Sequence, residues 1–179
     1  PYPIGVVLHP VVEACLLLRA RLGAEIAALR HLELRGHPLL RQRADRPDIR
    51  LGREASVSAQ HVAAAAMLRG AIGPEELTDA AVADPAIRAL AARVRVIEDT
   101  TVPVEAVHLL ARSGAEEHAI HVPYAYGLPD RPMDGPALAE KAQSLARWGA
   151  PWCDMEAVIA AVDTLSDATD LTGLTRLLV

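Results

Sequence analysis

Apolar residues near the start of the chain follow a helical period after a short extended run. Residues 3–8 have the pattern of an extended, strand-like segment. Pro10 suits the first turn of a helix, because its missing N–H leaves no intrahelical bond unmade there. Helical spacing then continues through five apolar residues, Val11, Val12, Cys15, Leu18 and Leu22. We therefore expect a helix that begins near Pro10 and ends at Gly23.

Three stretches alternate between apolar and polar residues, which indicates half-buried strands. The first is 29–36, in which Leu32 and Leu34 lie on one face. The second is "VRVIED" at 94–99. The third lies on both sides of the pair Ser113-Gly114 and predicts a β-hairpin.

Helix-start and helix-stop signals define most of the remaining elements. Ser58 can cap a helix that ends at Gly70. Prolines that follow a small or acidic residue start two more helices, in "GPEEL" and "DPAIR". The segment 37–55 is rich in Arg, Asp and Pro and predicts a loop. A turn-rich connector, "YGLPDRPMDGP", precedes a C-terminal segment with a helical pattern.

The order of the elements predicts an α+β fold rather than a doubly wound sheet, because helices alternate irregularly with single strands and a hairpin. We expect an antiparallel sheet of about four strands with flanking helices, a lid-type domain, over 1–133. The composition shifts near residue 130, so 134–179 is expected to form a separate helical segment.

Composition changes this picture in four ways. Hydrophobic residues make up 51% of the 179 residues and aromatic residues 3%, so the core must consist of small and branched aliphatic side chains. The net charge is −5 and no basic stripe interleaves with aromatics, which excludes a typical nucleic-acid-binding surface. No apolar run approaches the ~20 residues of a membrane span. Cys15 and Cys153 form no motif, which favours a reduced, cytoplasmic protein.

Gln60 and His61 are candidate substrate-binding residues in the first turn of the helix that Ser58 caps. Backbone N–H groups at a helix start can bind a carboxylate. For these residues taken alone, a plainly capped helix start with no ligand is the favoured interpretation.

Histidines provide the other candidate chemistry. His9 lies where an extended segment becomes a helix, and a neutral imidazole there can act as acid or base near pH 7. A structural histidine that binds a nearby carbonyl fits the same position equally well. His118 and His121 would lie on opposite faces of a strand, with His108 across the hairpin from one of them. A zinc site needs three or four convergent ligands, so we expect no metal.

Four segments, in this order, resemble the MmgE/PrpD family, which includes 2-methylcitrate dehydratase, cis-aconitate decarboxylase and iminodisuccinate epimerase. The first, "PYPIGVVLHPVVEACLLLR", is similar to the family's K-x-YP…H…A, and "LRHLELRGHPL" is similar to the strand that comes after it. The third is "GREASVSAQHVAAAAMLRGAIGPEELTDAAVADPAIRALAARVRVIED", which resembles EAKFS…A…AL…G…FTDEALRDPAVRALA…V. The fourth, "YGLPDRPMDGPALAEKAQSLA", is similar to G-x-P…P-M…L…K.

The resemblance implies the C-terminal part of a longer enzyme, with the active site in a cleft between this lid domain and a large helical domain. It implies a dehydratase-type lyase that removes a proton next to a carboxylate of a small di- or tricarboxylate and then releases water. The resemblance implies no metal or organic cofactor. It does imply a homodimer. An epimerase of the same family shares the first step. A non-catalytic α+β module that binds a partner is the alternative from another class.

The resemblance also assigns residue roles. His9 matches a histidine often present in this segment and becomes the catalytic candidate, with Gln60 and His61 as substrate contacts. The family places a lysine just before the position of Pro1. Decarboxylase members carry a catalytic histidine at the position of Gly5, which has no side chain, and this departure counts against decarboxylase chemistry.

The resemblance has two consequences for residues 1–179. We expect negligible turnover from them alone, because the resemblance places most acid–base residues in the helical domain. If 134–179 returns to that domain, its helices should expose an apolar patch that contains Leu145, Val158, Ile159 and Val162.

Overall fold

The computed structural model describes residues 1–178 and divides into two compact units. The first unit, Pro1–Pro132, contains helices and a sheet. The second unit begins at Met133 and contains helices. Along residues 1–178, no helix combines the length and apolar character needed to cross a membrane.

The first unit is an α+β domain. Its helices are α1 (His9–Leu22), α2 (Pro38–Ala44), α3 (Gly52–Ala55), α4 (Ala59–Arg69), α5 (Asp79–Ala83) and α6 (Pro85–Ala91). Its strands are β1 (Leu29–Gly36), β2 (Val94–Glu98), β3 (Val107–Ser113) and β4 (Glu116–Val122). Short 3-10 turns occupy Val6–Leu8, Gly23–Ala28 and Pro74–Leu77.

The sheet is mixed, in the order β2-β1-β3-β4. β1 pairs with β2 in parallel, with Leu32 opposite Val94, whereas β1–β3 and β3–β4 are antiparallel. The α+β class is therefore confirmed, but the prediction of a purely antiparallel sheet is wrong. Residues 37–93 form a long helical crossover from β1 to β2, and such a crossover returns the chain to the same end of the sheet.

The predicted hairpin is confirmed as β3 and β4. Ser113 pairs with Glu116 at the closed end, and Gly114 has a φ of +61° in the two-residue turn. Gly114 adopts this left-handed conformation without the steric cost that a Cβ would add.

α4 lies at the centre of the core. Every residue from Ala59 to Met67 is buried, and the helix contacts α1, α6 and β2. A helix that is apolar on all sides is buried on all sides, and its run of four alanines at 63–66 permits close approach of its neighbours. The predicted cap by Ser58 and the helix end at Gly70 are both confirmed.

Two local predictions are wrong. Within 3–8, residues Val6–Leu8 form a 3-10 turn rather than a strand. The segment 37–55 contains α2 and α3 rather than only loop. His37 caps α2 because its Nδ1 accepts a hydrogen bond from the N–H of Leu39, and the buried face of α2 outweighs its arginine-rich composition.

The second unit contains α7 (Gly135–Gly149), α8 (Met155–Asp163) and α9 (Thr172–Leu177), with a 3-10 turn at Leu165–Asp167. Asp134 and Asp154 cap α7 and α8. Of the four residues expected in an apolar patch, two are exposed, Leu145 and Val162. The other two are less accessible, since Ile159 is half-buried and Val158 is buried.

Gly52 is required by a close backbone approach. A Cβ at this position would lie 2.7 Å from the carbonyl carbon of Thr78 and 2.8 Å from the nitrogen of Asp79, and closer still to the carbonyl oxygen of Leu77. The Gly52 N–H donates to Oδ1 of Asp79 at 2.6 Å. This contact fixes α3 against the segment 77–79.

We expect Gly52→Ala to lower the free energy of unfolding by about 1–3 kcal/mol, because backbone must move to admit the methyl group. Urea denaturation followed by circular dichroism measures the change. Gly5→Ala is the matched control, since its nearest contact would be an ordinary 3.7 Å to the Ser56 oxygen. Equal stability of the two variants would contradict the close-approach argument.

Candidate functional site

A cavity of about 1010 Å³ opens beside the N-terminal segment, and we call it the N-terminal cavity. One side consists of Gly5, Val6 and Val7, and the opposite side comes from α2, α3 and the loop 45–49 between them. Its volume is sufficient for a small metabolite.

A backbone hydrogen bond joins the two sides of the N-terminal cavity. The N–H of Gly5 donates to the carbonyl oxygen of Ser56 at 2.9 Å. The segment 1–9 and the segment 52–61 are far apart along the chain, yet this bond brings them together. The cavity therefore lies where the first and third segments of the family resemblance meet.

Three arginines of the N-terminal cavity are available to bind an anion. Arg43, Arg46 and Arg53 line it, and none of them forms an ion pair within 4.0 Å in residues 1–178. Some arginines elsewhere on the domain do form ion pairs, for instance Arg69 with Glu76 and Asp84. Guanidinium groups bind carboxylates through paired N–H donors, so the cavity has the chemistry to bind a small carboxylate.

Two acidic residues of the N-terminal cavity have protein partners. Glu54 accepts from the N–H groups of Arg50 and Leu51, and these backbone bonds lower its pKa. Asp45 accepts from the side-chain amide of Gln60 at 2.6 Å. Because these carboxylates already accept hydrogen bonds from the protein, they compete less with a ligand for the arginines.

Gln60 lies behind the wall of the N-terminal cavity rather than on its surface. Its Nε2 donates to Asp45 and its Oε1 accepts from the N–H of Arg46 at 3.1 Å. The residue is 3% exposed. This arrangement makes Gln60 a positioning residue for the loop that carries Arg46, and its direct contact with substrate stays a prediction.

His61 follows Gln60 in sequence but lines a different cavity, of about 660 Å³, which we call the His61 cavity. Its N–H donates to Oγ of Ser58, and its Nε2 lies 2.7 Å from the carbonyl oxygen of Glu76, so Nε2 carries the proton. Burial lowers the pKa of the imidazole, although the bond to the Glu76 carbonyl opposes the shift. The ring is therefore neutral near pH 7.

His9 begins α1, directly after the 3-10 turn that contributes Val6 and Val7 to the N-terminal cavity. The imidazole is half-buried and contacts the ring of Tyr2 edge-to-face at 5.6 Å between centroids. His9 is thus close in sequence to residues that line the N-terminal cavity. In the described linings, however, His9, Gln60 and His61 do not border one common cavity.

The strand histidines form a stacked pair. His108 lies opposite His121 across the hairpin, with ring centroids 4.1 Å apart, which confirms the predicted register. Partial burial and the neighbouring His121 lower the pKa of His108. Within residues 1–178, no group of three or more His, Cys, Asp or Glu side chains is arranged to hold a metal ion.

The arginines are functional candidates that sequence reasoning missed. Arg43, Arg46 and Arg53 lie in the segment 37–55, which the sequence predicts to be a loop. The spacing of arginines through 41–53 was a signal, but only the folded loop shows which of them face one cavity.

The fold and the cavity define the class of protein, an α+β domain with an arginine-lined cavity. The family model for the MmgE/PrpD C-terminal domain matches residues 2–167, and the chain belongs to this family. The match confirms the resemblance and the assignment to the C-terminal part. A comparison with curated proteins found no significant match.

We expect Gln60→Leu to lower the free energy of unfolding by about 1–3 kcal/mol, because the Arg46 N–H and the Asp45 carboxylate lose a buried partner. Hydrogen exchange of the Arg46 amide should accelerate. Gln42→Leu is the matched control, since Gln42 is exposed on α2. Unchanged exchange at Arg46 in the Gln60 variant would contradict the positioning role.

We expect the His61 imidazole to titrate below the ordinary value of 6.5, because burial disfavours its charged form. A lowered pKa means that the unfolded chain binds more protons, so His61 lowers the stability as the pH falls below about 6.5. A proton NMR titration of the ring measures the pKa. A value at or above that of a model peptide would contradict the burial argument.

Proposed function

We propose that this domain forms the lid side of the active site in a dehydratase-type lyase that acts on a small di- or tricarboxylate. In the proposed reaction, a proton leaves the carbon next to a carboxylate. The neighbouring carbon–hydroxyl bond then breaks, water is released and a carbon–carbon double bond forms. The family membership and the three unpaired arginines of the N-terminal cavity support this proposal.

The N-terminal cavity has two features that such a reaction uses. Loss of the proton builds negative charge on the adjacent carboxylate, and guanidinium groups that already bind this carboxylate stabilise that charge. Val6, Val7 and Val57 provide an apolar surface beside the arginines. An apolar surface excludes water and strengthens the interaction between the opposite charges.

His9 is the proposed proton acceptor or donor of this domain. Its position after the turn Val6–Leu8 places it next to the segment that lines the cavity. The other acid–base groups are proposed to come from the helical domain that the family resemblance implies. Gly5 lacks the side chain that the resemblance associates with decarboxylation, and this favours dehydration or epimerisation.

Epimerisation is the second candidate, because it begins with the same proton abstraction. The two reactions differ in the second step, since an epimerase returns a proton to the opposite face of the carbon and releases no water. The arginine-lined cavity supports both reactions equally.

The helices after Met133 are proposed to pack against that helical domain. Exposure of Leu145, Trp148, Trp152 and Val162 supports this proposal, because aromatic and aliphatic side chains at such exposure favour a covering surface. A homodimer and a cytoplasmic location stay predictions.

The reaction is tested by joining residues 1–179 in one polypeptide to a helical domain of the family and adding 2-methylcitrate in D2O. Dehydration should replace the signal of the methyl group on a saturated carbon by that of a methyl group on a double bond in the proton NMR spectrum. Solvent deuterium at the carbon next to the carboxylate, together with inverted configuration and no double bond, would indicate epimerisation. Residues 1–179 alone should give neither product, and turnover by them alone would contradict the lid role.

We expect Arg43→Gln and Arg53→Gln each to lower kcat/KM in that polypeptide about tenfold, because each removes a charge-assisted bond to the substrate carboxylate. Arg30→Gln is the matched control, since Arg30 is exposed on β1 and lines neither cavity. Full activity of both cavity variants would rule out the N-terminal cavity as the substrate site.

A further inference from the structure

The His61 cavity has an excess of positive charge that the proposed reaction does not use. Arg50, Arg88 and Arg95 line it together with His61, whereas Asp48 is the one acidic residue in its described lining. The N-terminal cavity differs, because there three acidic residues accompany the three arginines. The His61 cavity is therefore the more strongly cationic of the two.

The three arginines of the His61 cavity come from separate elements, and the acidic residue that interacts with one of them, Glu54 with Arg50, does so beyond the distance of an ion pair. Arg50 precedes α3, Arg88 lies on α6 and Arg95 on β2. None forms an ion pair within 4.0 Å among the residues that the structure describes. Arg95 is held by bonds of 3.1 Å to the carbonyl oxygens of Ala92 and Val94. Arg50, Arg88 and Arg95 are exposed, so water weakens their mutual repulsion, and an anion bound between them would lower it further.

The buried side of the His61 cavity consists of polar side chains that hydrogen bonds hold in place. Ser58 is fully buried and His61 is 3% exposed. Ser58 donates to the carbonyl oxygen of Arg46 at 2.7 Å and caps α4, a helix of 11 residues. The positive end of the α4 dipole therefore lies at this side and adds to the field of the three arginines.

The two cavities are separate sites with one common wall. Pro47, Asp48 and Ile49 border both of them. Arg43 and Arg53 line the N-terminal cavity alone, and Arg50 and Arg88 line the His61 cavity alone. Substitutions can thus remove charge from one cavity without removing it from the other.

We propose that the His61 cavity binds a small oxyanion that carries two or more negative charges. The cavity volume admits a molecule of that size, and one singly charged ion would leave the three guanidinium groups largely unbalanced. Phosphate and multivalent carboxylates share this chemistry. The proposal does not depend on the reaction proposed for the N-terminal cavity.

The test titrates residues 1–179 separately with inorganic phosphate and with citrate at constant ionic strength. Affinity is measured by calorimetry, and the site is located by NMR shifts of the arginine Nε–H groups. At least one anion should shift Arg50, Arg88 and Arg95. The double variant Arg50→Gln/Arg88→Gln should weaken that binding about a hundredfold, or about tenfold for each charge-assisted contact.

The matched control is Arg43→Gln/Arg53→Gln, which removes the same charge from the N-terminal cavity. Retained shifts of Arg50, Arg88 and Arg95 in this control, together with the weakened binding in the Arg50/Arg88 variant, support the proposal. The overall citrate affinity of the control can fall, because the proposed function has the N-terminal cavity bind a tricarboxylate. Binding by phosphate alone identifies a phosphate site, and binding by citrate alone identifies a carboxylate site. The proposal is overturned if neither anion binds, or if affinity falls only in the Arg43/Arg53 variant. Turnover of the joined polypeptide reports on the proposed reaction independently.

Discussion

The first turn of α4 is the constraint on which both cavities depend. Ser58 binds the carbonyl of Arg46, Gln60 binds Asp45 and the Arg46 N–H, and His61 binds the carbonyl of Glu76. These groups are buried, so the loss of any of these hydrogen bonds would leave a polar atom with neither a protein partner nor water. The start of α4 therefore holds two segments in place, the loop that lines the N-terminal cavity and the segment 74–77. α4 can serve this purpose because its alanine-rich body is immobilised by the core on every side.

The position of the arginines depends on this constraint. Small aliphatic side chains fill the interior, and arginine supplies nearly all of the positive charge at the surface. Where the crossover 37–93 leaves the sheet, it turns through α2 and α3, and its arginines line two cavities that share the wall 47–49. Some arginines elsewhere on the domain form ion pairs, such as Arg112 with Glu117. The arginines that line the two cavities form no ion pair within 4.0 Å among the described residues.

Membership of the MmgE/PrpD family gives this arrangement a chemical context. A domain that contributes arginines and an apolar surface, with one histidine candidate for proton transfer, is suited to bind and shield a carboxylate. His9 and the arginines come from different parts of the chain, and the bond between Gly5 and Ser56 brings those parts together. The site is thus a property of the fold rather than of any single motif.

The sequence by itself determined the elements whose signals are local. Alternation identified β1 and β2, the Ser113-Gly114 pair identified the hairpin, and Ser58 and Gly70 marked both ends of α4, because periodicity and caps depend on near neighbours in the chain. Tertiary structure alone decided the parallel pairing of β1 with β2, the helices within 37–55, and the burial of Gln60 and His61. These features depend on which distant segments of the chain come into contact, and amino-acid composition does not specify such contacts. For the same physical reason, the sequence did not show which arginines line the two cavities.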